Sequence, residues 1–256
     1  MQVQDEQSQH EVIETLQRRV EELTEANRLL KEQLVRKEQF AAMIAHELRS
    51  PLTPIINYAQ IVARPNQRHE AVVRGTNIII SQAWRLTRLA NDLLDASRLS
   101  SGQFTLACST CDVVALVKEV VDQLRPVAPY HTFVVETPDD PITSNWDSGR
   151  LQQALGNLLD NAIKYSDEGT IITVRVWRTQ EKAYVSVHNE GVSIPASDIS
   201  QLFRPFGRLA SASNQQGSGL GLYITKSIVE AHRGMLCLES SATEGQGTTF
   251  TFDLPL

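Results

Sequence analysis

The chain has 256 residues, of which 41% are hydrophobic, enough for one large domain or two smaller ones with sizeable cores. Its net charge of −6, without a long block of Lys and Arg, argues against nucleic-acid binding. No apolar run approaches the roughly 20 residues that cross a bilayer. Because the N-terminus also lacks the basic and apolar regions of a signal peptide, we expect a cytoplasmic protein without a membrane span.

The first predicted element is a long helix with a coiled-coil pattern. Its apolar residues recur in alternating steps of three and four, as the a and d positions of a heptad do. They are Ile13, Leu16, Val20, Leu23, Leu30 and Leu34. Asn27 falls at an a position, where a buried Asn pairs with its mate and favours a parallel, in-register dimer. We favour this homodimer over a solvated amphipathic helix, because Glu, Lys and Arg flank the apolar positions.

Continuing the heptad places His46 at the outward-facing f position, with Glu47 beside it at g. A histidine at f is normally a solvated surface residue, so its position alone does not assign a function. Pro51 and Pro54 lie inside the same helical pattern. Each proline removes a donor and frees the carbonyl four residues before it, which predicts a bend just after His46.

A turn signal at residues 63–67 ends this helix, and a second amphipathic helix follows. Its apolar face comprises Ile78, Ile79, Ala83, Leu86, Leu89, Leu93 and Leu94. The two helices predict an antiparallel hairpin, which in the dimer becomes a four-helix bundle. The small residues at 100–102 mark a boundary, so we divide the chain into segments 1–39, 40–101 and 102–256.

Beyond this boundary, predicted strands and helices alternate. Strands are predicted at 104–107, 132–136, 171–177, 183–188, 235–239 and 248–254, and helices at 113–124, 150–165 and 220–232. The polar stretch 209–218 predicts a mobile loop. Clustered strands with helices on one side indicate an α/β two-layer sandwich, which makes the whole chain α+β.

Cys108, Cys111 and Cys237 are too few for a disulfide framework. The first two have CxxC spacing, but no second pair of Cys or His stands where a zinc site requires one. We interpret them as small residues at a junction between a strand and a helix. A metal or redox role is the less favoured alternative.

The helix at 150–165 carries polar side chains along one face. Asn157, Asn161 and Lys164 lie at positions i, i+4 and i+7. An amide oxygen suits Mg²⁺, which prefers oxygen ligands, and a lysine there would meet phosphate charge. Taken alone, the pattern also fits an ordinary amphipathic helix.

Three glycines, Gly217, Gly219 and Gly221, precede the apolar pattern of the next helix. Glycines let the backbone approach a phosphate, and a helix N-terminus offers unpaired N–H groups. A lone GxGxG is weak evidence. It does not fit a dinucleotide-binding fingerprint here, because a polar loop instead of a strand precedes it.

Taken in chain order, these segments resemble the histidine-kinase family of two-component signalling. The resemblance covers about residues 36–254, with its motifs in family order and spacing. The motifs are a phosphoacceptor box at 46–52, an N box at 157–165, a first glycine box at 187–195, an F box at 202–206, a second glycine box at 217–222 and a last one at 244–250. The resemblance implies a signal-input coiled coil at 1–39, a dimerisation and phosphoacceptor domain at 40–101, and a catalytic ATP-binding domain of the Bergerat type at 102–256.

The resemblance also implies the chemistry of the first motif. His46 would attack the γ-phosphate of ATP as a neutral imidazole, the form that predominates at neutral pH. Glu47 would accept the other ring N–H, fixing the tautomer and stabilising the developing charge. The phosphoryl group would then pass to an aspartate on the receiver domain of a response regulator. Ser50 stands where kinases that also dephosphorylate their partner usually carry Thr or Asn, and its hydroxyl is able to orient a water.

For the nucleotide, the resemblance implies that Asn161 holds Mg²⁺ across the phosphates of ATP, with Asn157 and Lys164 nearby. The glycines at 217, 219 and 221 would let a lid wrap the phosphate chain, and Phe203 and Phe206 would help to anchor that lid. The other positions assigned to the nucleotide are Tyr165, Asn189, Gly191, Leu220, Leu222 and Thr248.

Two residues of the first glycine box depart from the family pattern, since Asn189 replaces Asp and Ser193 replaces Gly. The family's Asp accepts a hydrogen bond from the adenine amino group, and a charged acceptor makes roughly twice as strong a bond as a neutral one. The oxygen of Asn189 still accepts, so we expect weakened but not abolished ATP binding. His188 is a candidate to line the same site. The remaining histidines outside the phosphoacceptor box, His10, His69, His131 and His232, are interpreted as surface residues.

The favoured interpretation is an active, ATP-dependent protein-histidine kinase. A degenerate dimeric scaffold of the same fold is the alternative that Asn189 and Ser193 favour, while the intact His46, Glu47 and Asn161 argue against it. A third interpretation is an ATPase related to chaperone and topoisomerase ATPase domains. It does not explain why the chain also has the His46 helix. We expect the input to be an upstream sensor protein that docks on residues 1–40.

Overall fold

The computed structural model describes residues 2–65, 68–191, 193–207, 218–240 and 247–256. The chain forms two compact units, Met1–Leu86 and Thr87–Leu256. Within the described ranges, every helix is too short or too polar to serve as a membrane span.

The first unit is built from the long helix α1 (Gln2–Val62) and the first part of α2 (His69–Ser100). The two helices are antiparallel, as predicted. A Cβ on Gly75 of α2 would lie 2.7 Å from Cγ2 of Val62, and Arg85 of α2 lies near Glu47 of α1. Both prolines lie inside α1, and the predicted bend stays a prediction. Residues 63–65 form the predicted turn, whereas 66–67 lie outside the described residues.

The apolar stripe of the coiled-coil segment is left exposed by the described part of the chain. Five of its predicted a and d residues are between 58% and 64% exposed. They are Leu16, Val20, Leu23, Leu30 and Leu34. Burial of such residues contributes about 25 cal/mol per Å² of apolar surface, so the stripe favours association with another apolar helix.

The second unit combines two sheets with several helices. Its further helices are α3 (Val113–Leu124), α4 (Ser148–Tyr165), α5 (Ala196–Leu202) and α6 (Gly221–Ala231). Its strands are β1 (Ser109–Asp112), β2 (Thr132–Glu136), β3 (Thr143–Trp146), β4 (Ile171–Arg178), β5 (Lys182–Asn189), β6 (Leu236–Ser240) and β7 (Thr248–Pro255). Strands β1 and β3 pair as a small antiparallel sheet. The larger sheet has the order β2-β4-β5-β7-β6, in which β2 and β4 are parallel and the other neighbours antiparallel.

The core of this unit lies between the larger sheet and the helices. Alternate residues of β4, β5 and β7 are buried, as expected for strands with one covered face. They meet the apolar sides of α3, α4 and α6 in one continuous cluster. The opposite face carries a stacked pair, Trp177 and Tyr184, with ring centres 5.2 Å apart. The predicted two-layer α/β sandwich is confirmed.

The last part of α2 belongs to the second unit. Ala96 is buried in the core of that unit, and Leu93 and Leu99 pack against it. Leu93, Ala96 and Leu99 recur every three residues along one side of the helix, which explains why α2 remains amphipathic beyond Leu86. The predicted division of the chain at 101/102 stays a prediction.

The start of α4 is held by His232, a buried histidine that was predicted to lie on the surface. Asp147 caps the helix by accepting from the Arg150 N–H at 3.0 Å. The Asp147 N–H donates to Nε2 of His232 at 3.0 Å, and Nδ1 of His232 donates to the Ile228 carbonyl at 2.8 Å. His232 is therefore 7% exposed, and the surface interpretation was wrong for it. His69 is exposed as predicted, His131 is half-buried, and the side chain of His10 lies outside the described residues.

The predicted strand at 104–107 was also wrong, because the strand begins later, at Ser109. It pairs with β3, a polar strand that has no apolar pattern to predict it, and this pairing selects the register. Cys111 is buried near the end of β1, just before α3, where a junction between strand and helix was expected. In the described part of the chain, no group of three or more His, Cys, Asp or Glu is placed to hold a metal ion.

Candidate functional site

The first candidate residue, His46, projects from α1 into solvent. Its side chain is 80% exposed, whereas that of the adjacent Glu47 is only 11% exposed. Nδ1 of His46 lies 4.0 Å from Oε1 of Glu47, which is longer than a hydrogen bond. Nη2 of Arg85, on α2, lies 3.9 Å from the other Glu47 oxygen. Ser50, one turn further along α1, is half-buried.

Arg85 is a neighbour of this motif that sequence reasoning missed. The Arg85 guanidinium faces one oxygen of the Glu47 carboxylate and favours one orientation of that side chain. The only available signal was the antiparallel hairpin, whose register brings Arg85 level with Glu47. Sequence periodicity predicts the faces of the two helices but not this register.

On α4, the predicted N-box residues are half-buried along one face. Nδ2 of Asn157 donates to the Gly221 carbonyl at 3.2 Å and lies 3.5 Å from Oγ1 of Thr225. Asn157 therefore connects α4 to the first turn of α6. Nζ of Lys164 lies 5.2 Å from the centre of the Tyr165 ring.

The second glycine box shapes the start of α6. Leu220 is fully buried and immediately precedes the helix, and its N–H donates to Oγ of Ser218 at 3.3 Å. The helix begins without a side-chain cap at Leu220, so its first N–H groups are available to an anion. Leu222 is half-buried against the core. Gly217, with most of the predicted loop at 209–218, lies outside the described residues.

The F box lies directly against the second glycine box. Gly219 has φ of +67°, and a Cβ there would lie 2.8 Å from Cα of Phe206. A glycine is therefore required at this contact. Phe203 packs against the core, and Nζ of Lys226 lies 5.8 Å from the centre of its ring. The structure thus brings together two motifs that are separate in the sequence.

Asn189 ends β5, where it is only 4% exposed. It pairs with Ile172 of β4 and Thr248 of β7, so these three side chains share the face that the helices cover. A Cβ on Gly191 would lie 2.0 Å from the Tyr165 carbonyl oxygen, and a Cβ on Gly247 would lie 2.0 Å from the Asn189 carbonyl oxygen. Two glycines therefore enclose Asn189 where no side chain would fit.

The neighbouring His188 lies on the opposite face of the sheet. Its Nδ1 is 2.9 Å from Oγ1 of Thr249, on the adjacent strand. Because successive strand residues point to opposite faces, His188 does not share the surface of Asn189. It was a candidate to line the nucleotide site, and it lies on the other face of the sheet from Asn189.

Two family models match successive parts of this chain. A His Kinase A phosphoacceptor domain matches residues 36–102, and a histidine kinase-, DNA gyrase B- and HSP90-like ATPase domain matches residues 146–256. The chain belongs to the histidine-kinase family. The family predicted from the motifs is thereby confirmed.

Known histidine kinases are similar over most of this chain. The sensor histidine kinase WalK of Bacillus subtilis is 32% identical over 255 residues, which are 97% of this chain and 41% of WalK. The probable sensor histidine kinase TcrY of Mycobacterium tuberculosis is 36% identical over 220 residues, 85% of this chain and 46% of TcrY. The crystal structure of full-length ShkA in complex with AMPPNP has a TM-score of 0.63 at 25% identity, covering 85% of this chain and 45% of ShkA. The chain thus spans less than half the length of each of these relatives.

In this histidine-kinase chain, a network of charged groups joins the end of α2 to α4. Nη1 of Arg150 donates to Asp95 at 2.7 Å and to Oε1 of Gln153 at 2.9 Å. Gln153 in turn donates to the same Asp95 oxygen at 2.8 Å, and Arg88 pairs with Asp160. Sequence reasoning missed this network, although acidic residues at apolar spacing on α2 were an available signal.

Asp92 lies in the same network and carries a stability cost at neutral pH. Burial raises its pKa to about 6, against the attraction of Arg88 and with the repulsion of Asp95 and Asp160. The unfolded carboxyl ionises near pH 4, so the folded state holds an extra proton between about pH 4 and pH 6. Stability therefore falls as the pH rises through that window.

We expect the Asp92→Asn variant to raise the free energy of unfolding by about 2 kcal/mol at pH 7 and by little at pH 4.5. The neutral amide removes the cost of an ionised buried carboxylate. Urea unfolding at the two pH values measures the effect, with the exposed Asp139→Asn as a matched control. An equal gain at both pH values would contradict the assignment of the cost to ionisation.

Proposed function

We propose that this chain is an ATP-dependent protein-histidine kinase that phosphorylates His46. The phosphoryl group then passes to an aspartate on the receiver domain of a response regulator. The observation that carries the proposal is the exposed imidazole of His46 beside the largely buried carboxylate of Glu47, within the segment that matches the phosphoacceptor family. A solvated surface histidine has no need of a carboxylate held in that position.

The geometry at His46 supports different roles for its two ring nitrogens. Nδ1 is the nitrogen near Glu47, which leaves Nε2 as the nucleophile. Nε2 forms a bond to the γ-phosphorus while the bond from that phosphorus to the bridging oxygen breaks, and ADP leaves with the electron pair. The ring becomes an N-phosphorylated imidazolium that keeps its Nδ1 proton, and the Glu47 carboxylate stabilises this positive charge.

The residues of the second unit fit a nucleoside triphosphate with Mg²⁺. Asn161 offers an amide oxygen, the kind of ligand that Mg²⁺ accepts alongside phosphates and water. Lys164 and the uncapped first turn of α6 offer positive charge and N–H groups to the phosphates. Asn189 would offer a polar contact to the base, and the other residues that we assign to the nucleotide are Tyr165, Gly191, Leu222 and Thr248. The bound metal would neutralise phosphate charge, and the AMPPNP in the ShkA structure supports a nucleotide at this domain.

The exposed apolar stripe on α1 supports our proposal that the chain forms a homodimer. A second copy of the same helix would cover it, and Asn27 at an a position would favour the parallel, in-register arrangement. The coiled coil at 1–40 is also our proposed docking site for an upstream sensor protein. Since a kinase works where ATP is available, we place these domains in the cytoplasm.

A degenerate scaffold is the second candidate function. The replacement of the family's Asp by Asn189 favours it, because a neutral amide binds adenine less strongly than a carboxylate. The scaffold would keep the fold and the dimer but would not phosphorylate His46. It would bind its partners through the helical hairpin, without phosphotransfer.

Chemical stability of the label distinguishes these candidates. The purified chain is incubated with Mg²⁺ and ATP labelled at the γ-phosphate, beside a sample with ATP labelled at the α-phosphate. We expect label only from the γ-position, lost in acid and retained in alkali, as a phosphorus–nitrogen bond requires. Absence of label in a chain that demonstrably binds ATP would favour the scaffold, and an acid-stable label would exclude histidine as the acceptor.

A further inference from the structure

Arg88, on the last part of α2, pairs with a carboxylate of the N box that has no role in the site described so far. Nη1 of Arg88 donates to Oδ2 of Asp160, the residue directly before Asn161 on α4. The Arg88 side chain is 66% exposed and that of Asp160 is 40% exposed. An ion pair this exposed contributes little to stability, so we consider what its charges do to the neighbouring groups.

A polar cavity lies beside this ion pair, between α2, α3 and α4. It has a volume of about 680 Å³, and Asn157 and Asp160 form part of its wall on α4. A second ion pair, between Arg150 and Asp95, also joins the two helices at this cavity. Charged side chains connect α2 to the N box here, so a change of charge at Arg88 can act on α4 without disturbing the apolar core.

Asp160 is also a neighbour of Lys164, the lysine that we assign to the phosphates. The two residues are four apart on α4, the spacing at which side chains of one helix face come together. Burial raises the pKa of Asp160, and the positive charges of Arg88 and Lys164 oppose this rise. Asp160 is therefore a carboxylate that two cations influence, one from each helix.

These two cations differ in what else they can bind. While Arg88 holds Asp160, Lys164 can meet a phosphate. Without Arg88, Asp160 and Lys164 would form an ion pair at i and i+4, with the acidic residue first, which is the favourable order on a helix. The carboxylate would then draw Lys164 away from the nucleotide, and its own negative charge would repel the phosphates.

We propose that Arg88 is a positioning residue for the nucleotide, which acts through Asp160 to keep Lys164 directed at the phosphates of ATP. The inference rests on the proposed ATP site. It makes the affinity for the nucleotide depend on a residue of α2, outside the motifs of the ATP-binding domain.

The first test compares two substitutions of Arg88. Binding of ATP with Mg²⁺ to the whole chain is measured by titration calorimetry at low ionic strength. We expect Arg88→Met to raise the dissociation constant about fivefold, because a carboxylate near the phosphates loses its neutralising partner. Arg88→Lys keeps the positive charge, so its dissociation constant should stay within about twofold of the wild-type value. In about 1 M salt, screening should reduce the effect of Arg88→Met to less than about twofold.

A second substitution separates this role from a merely structural one. Asp160→Asn removes the carboxylate that would compete for Lys164. The double variant Arg88→Met/Asp160→Asn should therefore bind ATP within about twofold of the wild type, although it lacks the ion pair altogether. A structural ion pair predicts a double variant at least as weak as Arg88→Met. That result, or an unchanged dissociation constant in Arg88→Met, would overturn the inference.

Arg175→Met is the matched control, because Arg175 forms a similarly exposed ion pair with Glu136, between β4 and β2. It should leave ATP binding unchanged. Adenosine has no phosphate, so it should bind equally to the wild type and to Arg88→Met; a loss of adenosine binding would show general damage to the site and would overturn the inference. Failure of the wild type to bind ATP would overturn the proposed function as well.

Discussion

Replacing His46 with Gln is expected to lower the acid-labile label by at least about a thousandfold, to the background of the assay. The lone pair of the Gln amide nitrogen is delocalised into the carbonyl group, so this nitrogen cannot form the bond to phosphorus. His46 is 80% exposed and makes no close contact with Glu47, so the fold should not respond. The free energy of unfolding should change by less than about 0.5 kcal/mol.

The control for this variant is His69→Gln, at the exposed start of α2. It removes the same chemical group from the same unit and should leave the label unchanged. Label that persists in the His46 variant would place the acceptor elsewhere. Loss of label in the His69 variant as well would show that the assay responds to something other than the nucleophile.

Adding one methyl group at Gly191 is expected to damage the second unit more than any surface substitution. A Cβ there would lie 2.0 Å from the carbonyl oxygen of Tyr165, and the backbones of Ser166 and Gly191 are bridged at this point. Backbone cannot rotate away as a side chain does, so the end of α4 and the first glycine box must separate. We expect Gly191→Ala to lower the free energy of unfolding by about 3 kcal/mol. ATP affinity should fall by at least about tenfold, because Asn189 adjoins the clash.

Gly156→Ala is the matched control with the opposite sign. Gly156 lies inside α4, and a Cβ there meets nothing within 4 Å. Alanine is the better helix former, so the free energy of unfolding should rise by about 0.5–1 kcal/mol. Denaturant unfolding of the two variants measures both effects. Equal destabilisation by both would show that loss of glycine flexibility, and not the Tyr165 clash, is responsible.

The elements that sequence reasoning predicted well are those with a strong internal period. Helix α3 at 113–124 and strand β2 at 132–136 were predicted with the bounds that the structure has. The outward position of His46 followed from the heptad alone, and its side chain is indeed exposed. In each case the signal lies within a few neighbouring residues, because one face of a helix or strand must be apolar.

The elements that were missed take their structure from distant partners. Strand β3 is a polar four-residue segment that pairs with β1, about 30 residues earlier in the chain. The burial of His232 depends on Asp147, and that of Asp95 depends on Arg150. Neither histidine nor aspartate shows a local pattern that distinguishes a buried, paired residue from a solvated one.

The sequence by itself determined the family, the order of the two kinds of domain and the residue types of each motif. Periodicity and side-chain chemistry are local properties, so they can be recognised without coordinates. Only the tertiary structure decided which groups meet: Arg85 with Glu47, Asn157 with Gly221, Phe206 with Gly219, and Gly247 with the backbone of Asn189. These encounters depend on helix register and strand pairing across long stretches of chain, where the packing of the whole core selects one arrangement among many with the same local pattern.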